Sequence, residues 1–253
     1  MEYIYNILSI RVPAHPAFPD ISELSMPAKS RLLKGARMVL ARMRAERRPY
    51  LTDVGNIRIE VRPGVFYDPV ESVFFAERVP KLVGKKSFIE IGTGTGIVSL
   101  AVVRNGGELV LATDVNPFAV DNAEVNFSKH RVRKQVLRGE GLEPVPRDIR
   151  VGVIFWNHPF HYVAVPTVST VERSVFDYRY AGLYKVFRDV RKHLLPGGKF
   201  LLGTSNLARI NSIKKIARKY SYSYKLLTKH SVRFAHRPKT KGIDLRIYSF
   251  KPI

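Results

Sequence analysis

Three short stretches of this chain carry residues whose types and spacing could do chemistry. They are FIEIGTGTG from Phe88 to Gly96, ATDVN from Ala112 to Asn116, and IFWNHPF from Ile154 to Phe160. In the first, Gly92, Gly94 and Gly96 follow a short apolar run, Ser87 to Ile91, and precede the helix-like IVSLAVVRN. Glycines let a backbone turn sharply and approach a ligand with no Cβ in the way. The dinucleotide fingerprint is G-x-G-x-x-G, with a pyrophosphate resting on the helix N-terminus. Here the spacing is G-x-G-x-G, Ile97 stands where the third glycine would fall, and Glu90 lies two residues before the first. An anion at the mouth of that turn would repel a pyrophosphate and suits a cationic amino-acid sulfonium ligand. The same turn also serves purely structural ends between a strand and a helix.

The second stretch ends the apolar run ELVLAT with Asp114, twenty residues after Gly94. A doubly wound sheet presents a carboxylate to ribose hydroxyls at this place. A charge-assisted hydrogen bond to a diol also fixes the ligand's orientation. Asn116 and Pro117 read as a helix N-cap and a first-turn proline. That reading accounts for those two residues and not for Asp114. After a third strand candidate, Gln135 to Arg138, Glu140 in LRGEGLEP is either a contact to an adenine or a solvated loop carboxylate. Thr93 and Val115 complete the set expected around the cofactor.

Together IEIGTGTG, TDVNPFAVDNAEVNF and IFWNHPF resemble the class I methyltransferases that modify planar exocyclic amines, whose fourth motif reads Asn or Asp, Pro, Pro, then Phe or Tyr. VFYDPVESVFFAERV upstream and GLYKVFRDVRKHLLPGGKFLL downstream extend the likeness over roughly Arg62 to Lys251. Two branches are similar. One methylates guanine N2 or adenine N6 in ribosomal RNA, often with His after the motif, as in NHPFH here; the other methylates a glutamine of peptide release factors and usually reads NPPY. The resemblance implies S-adenosyl-L-methionine as cofactor, bound by Glu90, Gly92, Thr93, Gly94, Gly96, Asp114, Val115, Glu140 and Asn157. It also implies that the Asn157 side-chain oxygen and the backbone carbonyl of residue 158 hold both N–H bonds of the acceptor, while Phe160 stacks on it.

The chemistry explains the composition. An aromatic amine or carboxamide nitrogen is a poor nucleophile because its lone pair is delocalised, and two fixed acceptors turn that lone pair toward the methyl group. Pro159 keeps the preceding residue extended. That residue is His158, not the family's proline, which frees its backbone and adds an imidazole able to bond a phosphate or act as a base. A simple turn after a buried strand is the other reading of this tetrapeptide.

Charge speaks to the partner. Lys and Arg number 43 against 21 acids, giving a formal charge of +22. Such a balance is the footprint of a nucleic-acid binder. Between Pro27 and Arg48 eight cations face only Glu46, while Leu32, Leu33, Ala36, Val39, Leu40 and Met43 recur at helical spacing. A second run, Lys229 to Lys241, mixes Lys229, Arg233, Arg237, Lys239 and Lys241 with Phe234. Cations with an interleaved aromatic suit looped or single-stranded RNA. RNA, and ribosomal RNA above all, is therefore the expected partner, with a protein glutamine as the alternative. Solvated surface charge is the plainer reading of each run alone.

The 253 residues, 45% hydrophobic and 25% charged, suit one α/β domain with a small appendage. No run approaches the roughly 20 apolar residues that cross a bilayer. MEYIYNILSI lacks a basic leader, and a cytoplasmic protein without a membrane partner is expected. With no cysteine and no trusted histidine pair, no metal site is expected. The sequence predicts a basic extension over 1–62, with a helix and the strand-like GNIRIEVR, and a catalytic domain over 63–253. Strands near Ser87, Glu108, Gln135, Val151, Lys199, Tyr222 and Leu245 alternate for the most part with helices, which predicts a mostly parallel, Rossmann-like sheet. The final pair has no helix between its members and should be antiparallel. Glu90, Asp114 and Asn157 then meet at the carboxyl ends of the strands. HYVAVPTVSTVERSVFDYRYA, from His161 to Ala181, is the expected substrate lid, with Arg173, Tyr178 and Arg179 as RNA contacts.

Overall fold

The computed structural model describes residues 43–164, 169–232 and 242–253, together with Arg37, Leu40 and Ala41. Most of the basic run from Pro27 to Arg48, the proline-rich stretch near Val12, and all cations of the second run except Lys229 lie outside the described residues.

Short apolar strands build the centre. β3 (Ser87–Ile91), β4 (Glu108–Asp114), β6 (Val151–Asn157) and β9 (Leu194–Ser205) each carry a run of four or more consecutive buried residues. Strands covered on both faces read as continuous hydrophobic segments rather than alternating ones. With β5 (Val136–Arg138), β10 (Tyr222–Val232) and β11 (Ile243–Pro252) they form a seven-stranded sheet of order β10-β11-β9-β6-β3-β4-β5. β5, β4, β3, β6 and β9 run parallel, and β11 is antiparallel to both β9 and β10. This is the mostly parallel, Rossmann-like sheet that the alternation of elements predicts, with the expected antiparallel final pair.

The chain order reverses between β3 and β6, so connections leave on opposite sides and open a crevice at the strands' carboxyl ends. The register brings Ile91 beside Thr113 and Trp156, and Asn157 beside Gly203. The sheet edge thus aligns the ends of β3, β4 and β6, which carry the turn glycines, Asp114 and Asn157. Helices α1 (Pro69–Val83), α2 (Ile97–Arg104), α3 (Pro117–Lys129), α5 (Ala181–Asp189) and α6 (Ile210–Lys219) link or precede these strands, and a short α4 (Thr170–Arg173) lies in the lid.

The strand-like GNIRIEVR forms β2 (Ile57–Val61), which pairs with β1 (Tyr50–Val54) in a separate antiparallel hairpin. Assigned by sequence to the extension, this hairpin shares the main core through Ile59 and Val61, at 0% and 2% exposure. Two buried amides hold it there. Asn122 Oδ1 accepts from Arg62 N, and Asn126 Oδ1 accepts from Glu60 N at 2.8 Å. Asn126 Nδ2 donates to both Glu60 O and Thr95 O, joining the hairpin to the glycine turn.

Asn126→Ala strips partners from buried backbone groups of both segments, each of which costs about 1–3 kcal/mol to leave unpaired. Urea unfolding of the variant should show a loss of about 2–4 kcal/mol. An unchanged midpoint would mean that the amide does not hold the hairpin.

Candidate active site

A cavity of about 650 Å3 opens at the carboxyl ends of the strands. Its wall comes from Asp68 and Glu71 at the start of α1, Gly92 and Gly94 of the turn, Asp114 and Val115 after β4, Glu140, the tetrapeptide Asn157 to Phe160, and the lid from Arg173 to Tyr178. That size suits a small-molecule site.

Gly92, Gly94 and Gly96 adopt φ of +63°, +57° and +80°, the left-handed region where a Cβ is strained. Clearance adds to the demand. A Cβ on Gly92 would stand 3.2 Å from Trp156 Nε1 beside the cavity, and one on Gly96 only 2.8 Å from Phe127 Cε1 of α3. Gly96 therefore serves helix packing and lies outside the cavity wall. Glu90 also lies outside it. Only 3% exposed, its Oε2 accepts from Thr93 Oγ1 at 2.8 Å, from Ser99 N at 3.1 Å, and closely from Ser99 Oγ. Burial pushes this carboxyl up to about 7 against those donors. Glu90 and Thr93, expected at the ligand, instead brace the turn from beneath, outside the cavity wall, whereas Asp114 lines it.

Asp114, 8% exposed, lines the cavity with Oδ2 accepting from Gly94 N and Oδ1 from Asn116 N, both at 2.9 Å. Burial raises its carboxyl above the usual range, and the backbone donors oppose that. Asn116 caps α3 through Phe118 N, as its position before Pro117 predicts, and its Nδ2 donates to Gly64 O. Glu140 reaches the wall too, in ion pairs with Arg173 and with Lys185 at 3.0 Å.

At the end of β6, Asn157 Nδ2 donates to Glu71 Oε2 at 3.1 Å. Its Oδ1 is buried and has no hydrogen-bond partner among the described residues. His158 is 1% exposed, with Nε2 at 2.9 Å from Thr204 Oγ1 and the ring among Trp156, Phe160 and Tyr180. Burial holds this imidazole near 3, hence neutral at pH 7. A neutral, enclosed ring is no phosphate contact, so that role drawn from its type alone gives way to packing. Phe160, 6% exposed, and Pro159 complete the wall.

The lid pairs β7 (His161–Val163) with β8 (Phe176–Tyr178) in parallel. Asp177 anchors it: Oδ1 and Oδ2 accept from Gly182 N and Leu183 N at the start of α5, and burial raises the carboxyl to about 6. Arg179 and Tyr180 hold φ of 51° and 58°, strained for side-chain-bearing residues. In return Tyr180 Oη donates to Phe160 O and accepts from Arg209 N, fixing the tetrapeptide. Arg173 and Tyr178 line the cavity, while the Arg179 guanidinium lies 5.3 Å from the Tyr178 ring centroid. Leu40 and Met43 of the basic run pack on Val175, and Arg44 pairs with Glu172 at 2.9 Å, so the run's end rests on the lid.

Sequence reasoning assigned no role to Asp68, Glu71 or Asp177. For the first two a signal existed: Asp68-Pro69 followed by Glu71 is the spacing of a capped helix start. Asp68 does cap, accepting from Val70 N and Glu71 N. Nothing local shows that Glu71 turns to a residue 86 positions away.

Glu90 also leaves a mark on stability. Its folded carboxyl holds a proton between about pH 4.5 and 7, where the unfolded one has lost it. Stability contributed by the neutral form is therefore lost as pH rises through that window. Glu90→Gln removes the titration, so its stability relative to wild type should improve from pH 5 to 8 by on the order of 2 kcal/mol. Urea unfolding at both pH values checks this, and a constant difference would show that Glu90 does not titrate there.

Comparison with known proteins agrees with this geometry. The model of the methyltransferase small domain matches residues 56–222. The chain is 26% identical over 188 residues to the putative protein N5-glutamine methyltransferase MJ0928 of Methanocaldococcus jannaschii, covering 70% of this chain and 92% of that protein. It is 28% identical over 137 residues to ribosomal RNA large subunit methyltransferase G of Streptomyces avermitilis, spanning 53% of this chain and 33% of that one. In fold it is similar to the Thermus thermophilus 16S rRNA N2 G1207 methyltransferase solved with AdoMet and guanosine, with a TM-score of 0.56 at 18% identity over 81% of this chain and 50% of that one. The chain belongs to the methyltransferase small domain family and is an S-adenosylmethionine-dependent methyltransferase.

Proposed function

We propose that this enzyme methylates an exocyclic amine of adenine or guanine in RNA, with ribosomal RNA as the substrate. One observation carries the amine chemistry. The buried amides of Asn116, Asn122 and Asn126 each spend both ends on protein partners. Asn157, in the cavity wall, spends only its Nδ2 and leaves Oδ1 as a buried acceptor. Buried acceptors are rarely left unpaired, and an amine N–H of a bound substrate supplies the missing donor.

The wall residues fit the cofactor. Gly92 and Gly94 let the backbone approach it without a Cβ, Asp114 stands where ribose hydroxyls would bond, and the carboxylates of the wall suit a cation. When bound, S-adenosylmethionine would supply the electrophilic methyl group that the acceptor nitrogen takes up in exchange for a proton released to water. Asn157 Oδ1 and the carbonyl of His158 orient the amine, Phe160 stacks on its flat group, and the neutral His158 ring holds the loop through Thr204.

Charge supports RNA over protein. From Val190 to Ile243 the sequence has 14 Lys or Arg and no Asp or Glu. α6 belongs to this stretch and presents Lys215, Arg218 and Lys219 to solvent, while the exposed Arg209 stacks 3.7 Å from the Tyr162 ring centroid beside the lid. A glutamine carboxamide is the second reading, favoured by the likeness to MJ0928 over nearly that protein's whole length.

Tritiated S-adenosylmethionine with a lysate from cells lacking the enzyme separates the two. Nuclease-sensitive label is expected, and protease-sensitive label would move the substrate to protein. Asn157→Ala should reduce turnover by on the order of 10²-fold with cofactor affinity nearly intact. Full activity in that variant would sink the amine-orientation mechanism. By calorimetry, Asp114→Ala should weaken S-adenosylmethionine by about 1.5–3 kcal/mol, the worth of a hydrogen bond to a charged group. Equal affinity would remove Asp114 from the cofactor site.

A further inference from the structure

An asparagine amide has an accepting end and a donating end of nearly the same shape, so its neighbour decides which one faces a ligand. For Asn157 that neighbour is Glu71. We propose that Glu71 is the positioning residue of the methyl transfer: by accepting from Asn157 Nδ2 it turns Oδ1 toward the substrate amine. The inference rests on the reading of Asn157 as the amine acceptor.

The geometry is specific. Glu71 occupies the third residue of α1, with its backbone N–H held by Asp68 Oδ1 at 3.0 Å. In a capping box a glutamate at this place folds back onto the N-cap N–H. Here the carboxylate accepts from Asn157 Nδ2 at 3.1 Å instead, and both residues line the cavity. An ionised carboxylate has no proton to give, so it can hold only the NH2 end. A flipped amide would set oxygen against oxygen at Glu71 and offer the substrate a donor where its N–H needs an acceptor.

Protonation state enters through the same contact. Burial and the charge of Asp68 push the Glu71 carboxyl well above the usual range, with the Asn157 bond opposing. Once protonated, Glu71 gains an O–H that can pair with Oδ1, and the amide loses its single orientation. Methyl transfer should therefore rise with pH as Glu71 ionises. Asp114 after β4, Glu140 and Asp177 are further acidic side chains of the wall, burial raising the carboxyls of Asp114 and Asp177, whereas burial keeps His158 and His161 near 3 and 4 and hence uncharged. Beneath the turn, Glu90 ionises as well. Replacing Glu71 alone isolates its share.

The test uses the full-length enzyme, S-adenosylmethionine and unmodified ribosomal RNA transcripts in single-turnover assays across pH, with E71L, E71Q and N157A. E71L should lose on the order of 10²-fold in rate with little change in cofactor KM, matching N157A. E71Q, whose amide oxygen can still accept from Nδ2, should recover to within about 10-fold of wild type and lose the rising limb of the pH profile. An inactive N157A beside a fully active E71L would overturn this inference alone, and a fully active N157A would overturn the reading beneath it. NMR of the Asn157 side-chain NH2 gives a readout that needs no substrate and no leucine variant. Its resonances should move with Glu71 ionisation in wild type and stay still in E71Q. Resonances indifferent to pH in wild type would refute the contact's role.

Discussion

The carboxylate of Glu90 is the tie on which the floor of the cavity depends. It gathers the side chain of Thr93 and both donors of Ser99, joining the end of β3, the turn, and the first turn of α2 through one oxygen. Three left-handed glycines in five residues form a loop with little intrinsic preference for one shape, since glycine has the most backbone freedom to lose. Buried donors that find their acceptor only in one geometry supply the missing preference. The turn so fixed presents Gly94 N to Asp114, and Asp114 in turn orders the entry to α3 through Asn116. The position of the expected ribose contact is thus a consequence of a carboxylate that lies outside the cavity wall.

The same economy of buried polar groups runs outward. Asn126 couples the β1–β2 hairpin to the turn at Thr95, so a segment before the sheet braces the site from behind. Asp177 and Tyr180 fasten the lid and the tetrapeptide to α5 and to the start of α6. Each tie is buried at least in part and specific in its partners, which in a low-dielectric interior favours one arrangement over many. Asn157 Oδ1 stands out against this background as a buried acceptor without a partner among the described residues, and Nδ1 of the neighbouring His158 is the other such atom of the tetrapeptide.

What was legible in the sequence followed from periodicity and local chemistry. Continuous apolar runs marked the parallel strands, Asn116 with Pro117 marked the start of α3, and glycine spacing marked the turn. The antiparallel pairing of β10 with β11 then followed from the two elements that lack an intervening helix. Side-chain direction was not legible. Glu90 reads as an anion at the ligand because it precedes the glycines, yet β3 is covered on both faces and Glu90 is buried with it, bonded to Thr93 and Ser99. His158 reads as an imidazole able to bond a phosphate or act as a base and is instead enclosed by rings from Trp156 and Tyr180, the latter 22 positions on. Glu71 reads as a helix-start acid. Its meeting with Asn157 is a product of tertiary packing between α1 and β6, which no local pattern encodes. The hairpin was assigned to an extension because strand and basic helix are neighbours in sequence, whereas Ile59 and Val61 belong to the core.

Charge is segregated in a way that bears on the substrate. The chain as a whole carries +22, while the cavity wall holds Asp68, Glu71, Asp114, Glu140 and Asp177 with Arg173 as a cation among them. A site walled by carboxyl groups attracts a sulfonium and repels phosphate. On the proposed reading, the RNA backbone remains on the basic exterior, where counterion release favours it, and only a neutral base crosses into the cavity. A base reaches such a pocket by leaving its stack, and the cost of unstacking is least in loops and single strands. The division of charge would then select for an extruded base as well as bind it, because a stacked nucleotide cannot present its amine to Asn157 without bringing its phosphates against the acidic wall.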